Sequence, residues 1–414
     1  MRDPAAMLDR CSRRYGETFT VRLLWAEPIT FSADLELIRE LLADDRGNRV
    51  SPGREATLKP VMGPRSIFFA HGDSHLELRR LMSPPLQGEA LPAYAELARV
   101  LTRQQVASWP LGQRFELLAR LVRLVADVLV GAVFAPRDAA RAAELAELFT
   151  VMRELNAAGW RRRWARAQKR LGAASRLESA GSRLDELIAA EIGERYADPA
   201  LGQRADVLSR YARARRPDGR VLEEGELRDQ VVSLMMAGHD ATAVGLAWTL
   251  ELLARHPAAE RRALADAADG DGSFLAATVR ESLRLRPVVP TVGRRLGAAR
   301  RLGGYELPAG SIVSPSIYLV HTSARHFAAP REFKPERFLE PGGRPGWMPF
   351  GGGVRRCLGA TLAETLMRAV LAELLPRLEL RLVSNGPARV RSESVIWAPA
   401  RGLPVVASPR RAQA

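Results

Sequence analysis

The stretch Phe350-Gly351-Gly352-Gly353-Val354-Arg355-Arg356-Cys357-Leu358-Gly359-Ala360 decides how this chain is read. It holds one of only two cysteines in 414 residues. Three consecutive glycines make a loop that other groups can approach closely, because no side chain stands in the way. Two arginines directly precede the cysteine, and the run 361–375 behind it has helical spacing and strong helix formers. Cys357 is therefore expected at a helix N-terminus beside positive charge. Both features lower a thiol's pKa and favour the thiolate, the form that binds metal. The plain alternative for a lone cysteine is a small buried apolar residue.

Working outward, 47% hydrophobic residues and few low-complexity stretches indicate a globular protein with a sizeable core. Cys11 and Cys357 are too few and too far apart for a disulfide framework, which fits a reducing, cytoplasmic setting. The first ten residues lack a signal-peptide apolar region and a membrane anchor, so a soluble protein is expected. The formal charge of +15 admits nucleic-acid binding. The arginines are spread over almost every helical stretch, however, and no nucleic-acid motif accompanies them. The densest cluster, 160–170, reads as a solvated helix face with two anchoring tryptophans. Neither a nucleic acid nor a membrane is expected as a partner.

Along the chain, 18–23 and 28–31 are β-rich around a turn-like Ala26-Glu27. A helix follows over about 34–42, then a long Gly/Pro-interrupted segment, 50–70, of the kind that is often functional. Residues 91–195 are nearly all helical, with a strongly apolar helix at 115–134 and amphipathic ones at 138–156 and 173–195. A polar connection spans 196–219. Residues 303–310 suggest a hairpin and 311–315 a strand; 378–383 and 390–407 are again β-like. Periodicity thus gives a mainly α protein with small β-sheets.

The run 227–255 is one long helix, apolar on most sides, which belongs in the core of a large domain. Ala237-Gly238-His239-Asp240-Ala241-Thr242 interrupts it. A glycine and an aspartate inside a buried helix are costly, so a kink or a widened groove is expected there. Further upstream, His75 and Arg79 stand four apart on one helix face. Glu281 and Arg284 stand three apart on another helix, a pairing too common to mean anything alone.

Taken in order, these features resemble the cytochrome P-450 family of haem-thiolate monooxygenases. Phe350, Gly353, Arg355, Cys357 and Gly359 match its cysteine loop position for position. His75 and Arg79, Ala237-Gly238 with Asp240, Glu281 with Arg284, and Arg337 in Phe333-Lys334-Pro335-Glu336-Arg337-Phe338 match further motifs from about Tyr15 to Ala407. The resemblance implies a single domain over 1–414, with β-containing parts at about 15–31, 300–320 and 378–407 and a helical core at about 72–290 and 358–376. It implies haem b, with Cys357 as axial ligand of the iron and His75, Arg79, Arg294, Arg355, Phe350 and Gly359 as cofactor contacts. Thiolate ligation favours O–O cleavage. Glu281, Arg284 and Arg337 would form a buried ionic triad. Phe68, Phe69, Met236, Ala237, Val288, Val289, Thr291, Ile396 and Trp397 would wall a pocket for an apolar small molecule, such as a lipid, terpenoid or polyketide. A ferredoxin-type donor with its reductase would supply electrons to a monomeric enzyme.

The chain departs from the family in three places. Its proline-rich lead-in is short or missing, and Leu86 stands where a phenylalanine commonly closes the histidine motif. At the distal site, Ala241 replaces the threonine that usually follows the acid, and Thr242 comes one residue later. One residue turns a helix by about 100°. Thr242 therefore cannot simply replace the missing hydroxyl, which normally helps deliver protons. The expected catalytic set is Asp240, Ala241 and Thr242. Two alternatives follow: a non-hydroxylating reaction (desaturation, coupling or peroxide-driven oxidation), or a haem-binding module without catalysis.

Overall fold

A buried helix of 32 residues, Glu224–Arg255, is the axis of the fold. Val231, Val232, Met235, Val244, Leu246, Trp248 and Leu253 are each at most 1% exposed, on several sides of the helix. A helix apolar all round must be surrounded. Helix Leu117–Val133, also buried over most of its surface, packs along it. Helices Ala139–Ala157, Arg170–Ala197, Ser273–Leu285 and Ala360–Leu374 complete the surround, and Leu91–Val106 packs on Ala360–Leu374. Burying each large apolar side chain contributes about 1.5–3 kcal/mol. One continuous core runs through all of these helices.

The computed structural model describes residues 3–23, 26–43, 48–49, 58–157, 170–340, 344–393 and 395–410. The basic cluster around Trp160–Lys169 and the first part of the irregular segment, 50–57, lie outside them.

Small sheets border the helical body. The five-stranded sheet runs Thr18–Leu23, Ala26–Ser32, Ile312–Pro315, Arg294–Leu296, Asn48–Arg49. Its middle pair is parallel, with Phe31 opposite Ser314; Arg294 pairs antiparallel with Val313. A three-stranded sheet joins Arg114–Glu116, Pro404–Pro409 and Leu378–Leu382. Two hairpins, Arg300–Leu302 with Tyr305–Leu307 and Val390–Glu393 with Ile396–Pro399, stand apart. The mainly α class with small sheets is as expected.

Local departures have local causes. Helix Pro4–Tyr15 was not foreseen, although Asp3 caps it (Ala6 N–H to Oδ1, 3.0 Å) and Pro4 sits at its first turn. Ala26 and Glu27 belong to a strand rather than a turn, paired through Ala26 with Leu23. Phe115 lies in a strand opposite Val405, and the apolar helix starts only at Leu117. Apolar content alone does not separate a short buried strand from the helix that follows it.

Candidate active site

The cysteine loop is pressed against the helix Leu35–Ala43. Gly351 and Gly353 take φ of +70° and +65°, where other residues are strained. A Cβ on Gly353 would lie 2.1 Å from the Leu42 carbonyl oxygen. The Cys357 N–H donates to Phe350 O (2.9 Å), Arg356 N–H to Gly353 O (3.1 Å) and Gly351 N–H to Met348 O (2.9 Å). Phe350 sits edge-on to Trp347, which sits edge-on to Phe338.

Helix Ala360–Leu374 starts three residues past Cys357, as expected. The expected lowering of the thiol's pKa is not the net result. Burial pushes it up, against the opposing pull of the Gly359 backbone N–H, Arg356 and Arg79. Desolvating a thiolate outweighs the stabilisation that these groups return. Cys357 is nevertheless accessible to water.

Beside the cysteine, positive groups converge from three parts of the chain. His71, His75 and Arg79 recur every four residues at and along helix Gly72–Met82. His75 is 4% exposed, and its pKa is lowered to about 4, first by burial and then by Arg355, Arg79, His71 and Arg294. All four of those charges carry the same sign. Arg79 Nη1 donates to Arg356 O (2.7 Å), and Arg355 Nη2 donates to Ala70 O (2.7 Å) and lies 3.2 Å from His71 Nδ1. Arg294 is 9% exposed, with Nη1 on Gly293 O at 3.2 Å. Arg79 acts electrostatically on both His75 and Cys357, so the cluster borders the thiol. Guanidinium groups collected this way suit a ligand bearing carboxylates. Among the described residues no group of three or more His, Cys, Asp or Glu could hold a metal ion. An anionic porphyrin, which brings metal ligands of its own, fits a thiol bordered by cations.

On the core helix, Leu234, Ala237, Gly238 and Ala241 form an accessible strip at i, i+3, i+4, i+7. Ala237 is exposed on a helix that is buried over most of its length. The helix continues through Gly238. The polar residues are satisfied sideways. Asp240 Oδ1 accepts from Arg153 Nε at 2.7 Å, with both side chains largely buried. His239 Nε2 donates to Val122 O at 2.8 Å, and burial lowers its pKa. Ala241 lies on the strip, whereas Thr242 is 4% exposed and turned away from it.

Glu281, Arg284 and Arg337 come together. Arg284 donates to both Glu281 oxygens (2.7 and 2.8 Å), and Arg337 Nε and the Lys334 N–H both donate to Oε1 (3.0 and 2.9 Å). Glu281 and Arg284 are fully buried. His321, also fully buried, continues this frame toward the cysteine. Its Nδ1–H donates to Arg284 O (3.0 Å), and its Nε2 accepts from the Met348 N–H (2.9 Å). Those roles require the neutral ring. Burial, with Arg284 adding to it, lowers its pKa to about 3. Met348 O in turn holds Gly351 at the head of the loop.

The expected wall residues are a mixture. Phe68, Met236, Val289, Thr291 and Ile396 are half-buried, Ala237 is exposed, and Phe69, Val288 and Trp397 are at most 8% exposed. Trp248 Nε1 donates to Trp397 O (2.8 Å), and the Trp397 N–H donates to Val288 O (2.8 Å). Leu86, in place of the phenylalanine, is fully buried in the main core.

Four residues enter the site without having been given a role from the sequence: His71, Arg153, His321 and Trp248. Only His71 left a usable signal, its four-residue spacing from His75.

A mainly helical fold that gathers cations beside a glycine-cradled cysteine defines a haem-binding oxidoreductase. Residues 2–403 match the family model of cytochrome P-450, and the chain belongs to that family. It is 37% identical over 421 aligned positions to the putative cytochrome P-450 135B1 of Mycobacterium tuberculosis, covering 97% of this chain and 87% of the relative. It is 35% identical over 418 positions to the putative cytochrome P-450 137 of the same species, covering 97% and 85%. Two solved structures share the fold at 20% identity. One is the retinoic acid-bound cyanobacterial CYP120A1, with a TM-score of 0.83 over 97% of this chain and 94% of that one. The other is the cytochrome P450DA heme domain, with a TM-score of 0.85 over 99% and 94%. The protein is thus a haem b-dependent monooxygenase that works with redox partners. Among the described residues no helix is long and apolar enough to cross a membrane.

Proposed function

We propose that this monooxygenase oxidises an apolar small molecule, with Cys357 ligating the haem iron and a ferredoxin-type protein supplying electrons. The observation that carries the proposal is the accessible, apolar strip Leu234-Ala237-Gly238-Ala241 in the middle of a buried helix. A ligand there would meet methyl groups and glycine backbone, and sites of this composition take apolar ligands. His75, Arg79, Arg294 and Arg355 would hold the haem carboxylates. Bound haem supplies the oxygen-activating chemistry, and the chain supplies position and protons.

Asp240 is the proton carrier in this reading. Arg153, 2.7 Å away, holds its carboxylate beside the strip rather than on it. Ala241 offers no hydroxyl, and Thr242 is buried off the strip, so in this reading water or a hydroxyl of the substrate relays the proton from Asp240. This feature also favours a second reading, in which the same site runs a desaturation, a coupling or a peroxide-driven oxidation.

Spin-state titration of the holoenzyme against a fatty acid, a terpenoid and a polyketide tests the pocket. Failure of all three to shift the spectrum would reject an apolar substrate. With a compound that binds, product formed per NAD(P)H consumed is compared between the native chain and Ala241→Thr. Similar coupling supports a built-in substitute for the hydroxyl, and a large rise in the variant rejects it. Faster turnover with hydrogen peroxide than with redox partners would favour the second reading.

A further inference from the structure

The core helix carries buried polar residues at its N-terminal end that the site described above does not use. Asp229, Gln230 and Ser233 are 5%, 0% and 1% exposed. Each meets the irregular segment 63–67. Asp229 Oδ2 accepts from the Arg65 N–H at 2.9 Å. Gln230 is bidentate: Oε1 accepts from the Ile67 N–H (2.9 Å), and Nε2 donates to Arg65 O (2.7 Å). The hydroxyls of Ser233 and Ser66 lie 2.6 Å apart. The Arg65 side chain adds an outer ion pair with Glu223 at 2.9 Å.

Polar side chains in a core helix are costly unless bonded, and apolar residues would serve the helix better. Their placement matches the needs of the loop. Backbone N–H and C=O groups of a buried irregular segment must find partners, and among the described residues no neighbouring strand supplies them. The Gln230 amide takes that part, pairing with Arg65 and Ile67 as the edge of a sheet would. Gly63 completes the fit: at φ +85°, its Cβ would fall 1.9–2.1 Å from the Asp229 carboxylate atoms. The loop lies flat on the helix because it has no side chain at that point. Phe68 and Phe69 follow directly, and the Phe68 N–H is itself tied to Ser66 Oγ at 3.2 Å.

We infer that Gln230, flanked by Asp229 and Ser233, is a specificity-determining positioning residue: it latches segment 63–67 to the core helix and so fixes where Phe68 and Phe69 stand. The inference rests on the proposed reading that these phenylalanines wall the substrate pocket. It assigns substrate selection to a residue whose polar atoms are all spent on the loop backbone.

The test uses haem-loaded Gln230→Leu, close in volume but without polar atoms, and the milder Ser233→Ala in case the first folds poorly. Amide hydrogen exchange is followed over 61–70, and spin-state dissociation constants are measured for a saturated fatty acid, a monoterpene and a macrolactone. Gln230→Leu is expected to accelerate exchange over 61–70 by about tenfold or more, and Ser233→Ala by less. The ratios among the three dissociation constants are expected to change by about threefold or more, with the ferrous carbonyl spectrum unchanged. Unaltered exchange in both variants overturns the latch. Accelerated exchange with unaltered ratios overturns the specificity role while sparing the haem assignment. If none of the compounds shifts the native spectrum, the apolar-pocket reading falls and takes this inference with it.

Discussion

Replacing His321 by Leu would disconnect the buried ionic frame from the cysteine loop. The ring makes two hydrogen bonds, to Arg284 O and from the Met348 N–H, and it is fully buried. Each such bond contributes about 0.5–1.5 kcal/mol net, and a buried group left unpartnered costs about 1–3 kcal/mol. Leucine recovers some burial, so a stability loss of about 2–4 kcal/mol is expected, measured by urea denaturation. The loss should not be merely global. Met348 also holds Gly351 through its carbonyl at 2.9 Å, so a shifted Met348 moves the head of the loop that carries Cys357. The share of ferrous carbonyl complex showing thiolate ligation should therefore fall in His321→Leu. In a control, His239→Leu, which loses a buried bond to Val122 O remote from the loop, that share should hold. Equal thiolate shares in the two variants, or a stability loss below about 0.5 kcal/mol, would refute the coupling.

Glu281→Gln should cost about 3–5 kcal/mol in denaturant titration, because it leaves the fully buried Arg284 and the half-buried Arg337 facing a weaker acceptor. Arg153→Met should raise the peroxide released per NAD(P)H consumed, at unchanged haem content, because Asp240 loses the partner that positions it. The haem-free protein should lose stability on acidification. His321 and His75 have folded pKa values of about 3 and 4, below the unfolded value of 6.5, so below pH 6.5 the unfolded chain binds more protons. Their contribution is complete above pH 6.5. Between pH 6.5 and 5 it should fall by about 2 kcal/mol for each histidine, and His321→Leu should remove half of that slope in denaturation curves.

The cysteine loop was legible because its motif is local: glycines, arginines and cysteine are adjacent in sequence, even though partners such as Leu42, Ala70 and Arg79 are not. The core helix was legible because apolar residues on all sides leave few alternatives. Arg153, His321 and Trp248 were not, because each acts at long range. Arg153 lies 87 residues from Asp240, and Trp248 lies 149 from Trp397. No spacing rule connects positions joined only by the fold. The partners that satisfy His239 and Asp240 were hidden for the same reason, since they come from other helices. The thiol's environment was legible in part: Gly359 and Arg356 lower its pKa as read, whereas desolvation, which raises it, depends on what surrounds the sulfur.

The tie from Trp248 through Trp397 to Val288 has a consequence for how such an enzyme can change. At Trp397 and Val288 the tie uses only main-chain atoms. In the proposed reading, substitution at Val288, Val289 or Ile396 would therefore alter the pocket lining without removing either of these two hydrogen bonds. A lineage carrying this arrangement can exchange those side chains one at a time, each step leaving the scaffold standing. New substrates become reachable through a series of small, individually tolerated replacements, with Trp248 as the position that must stay.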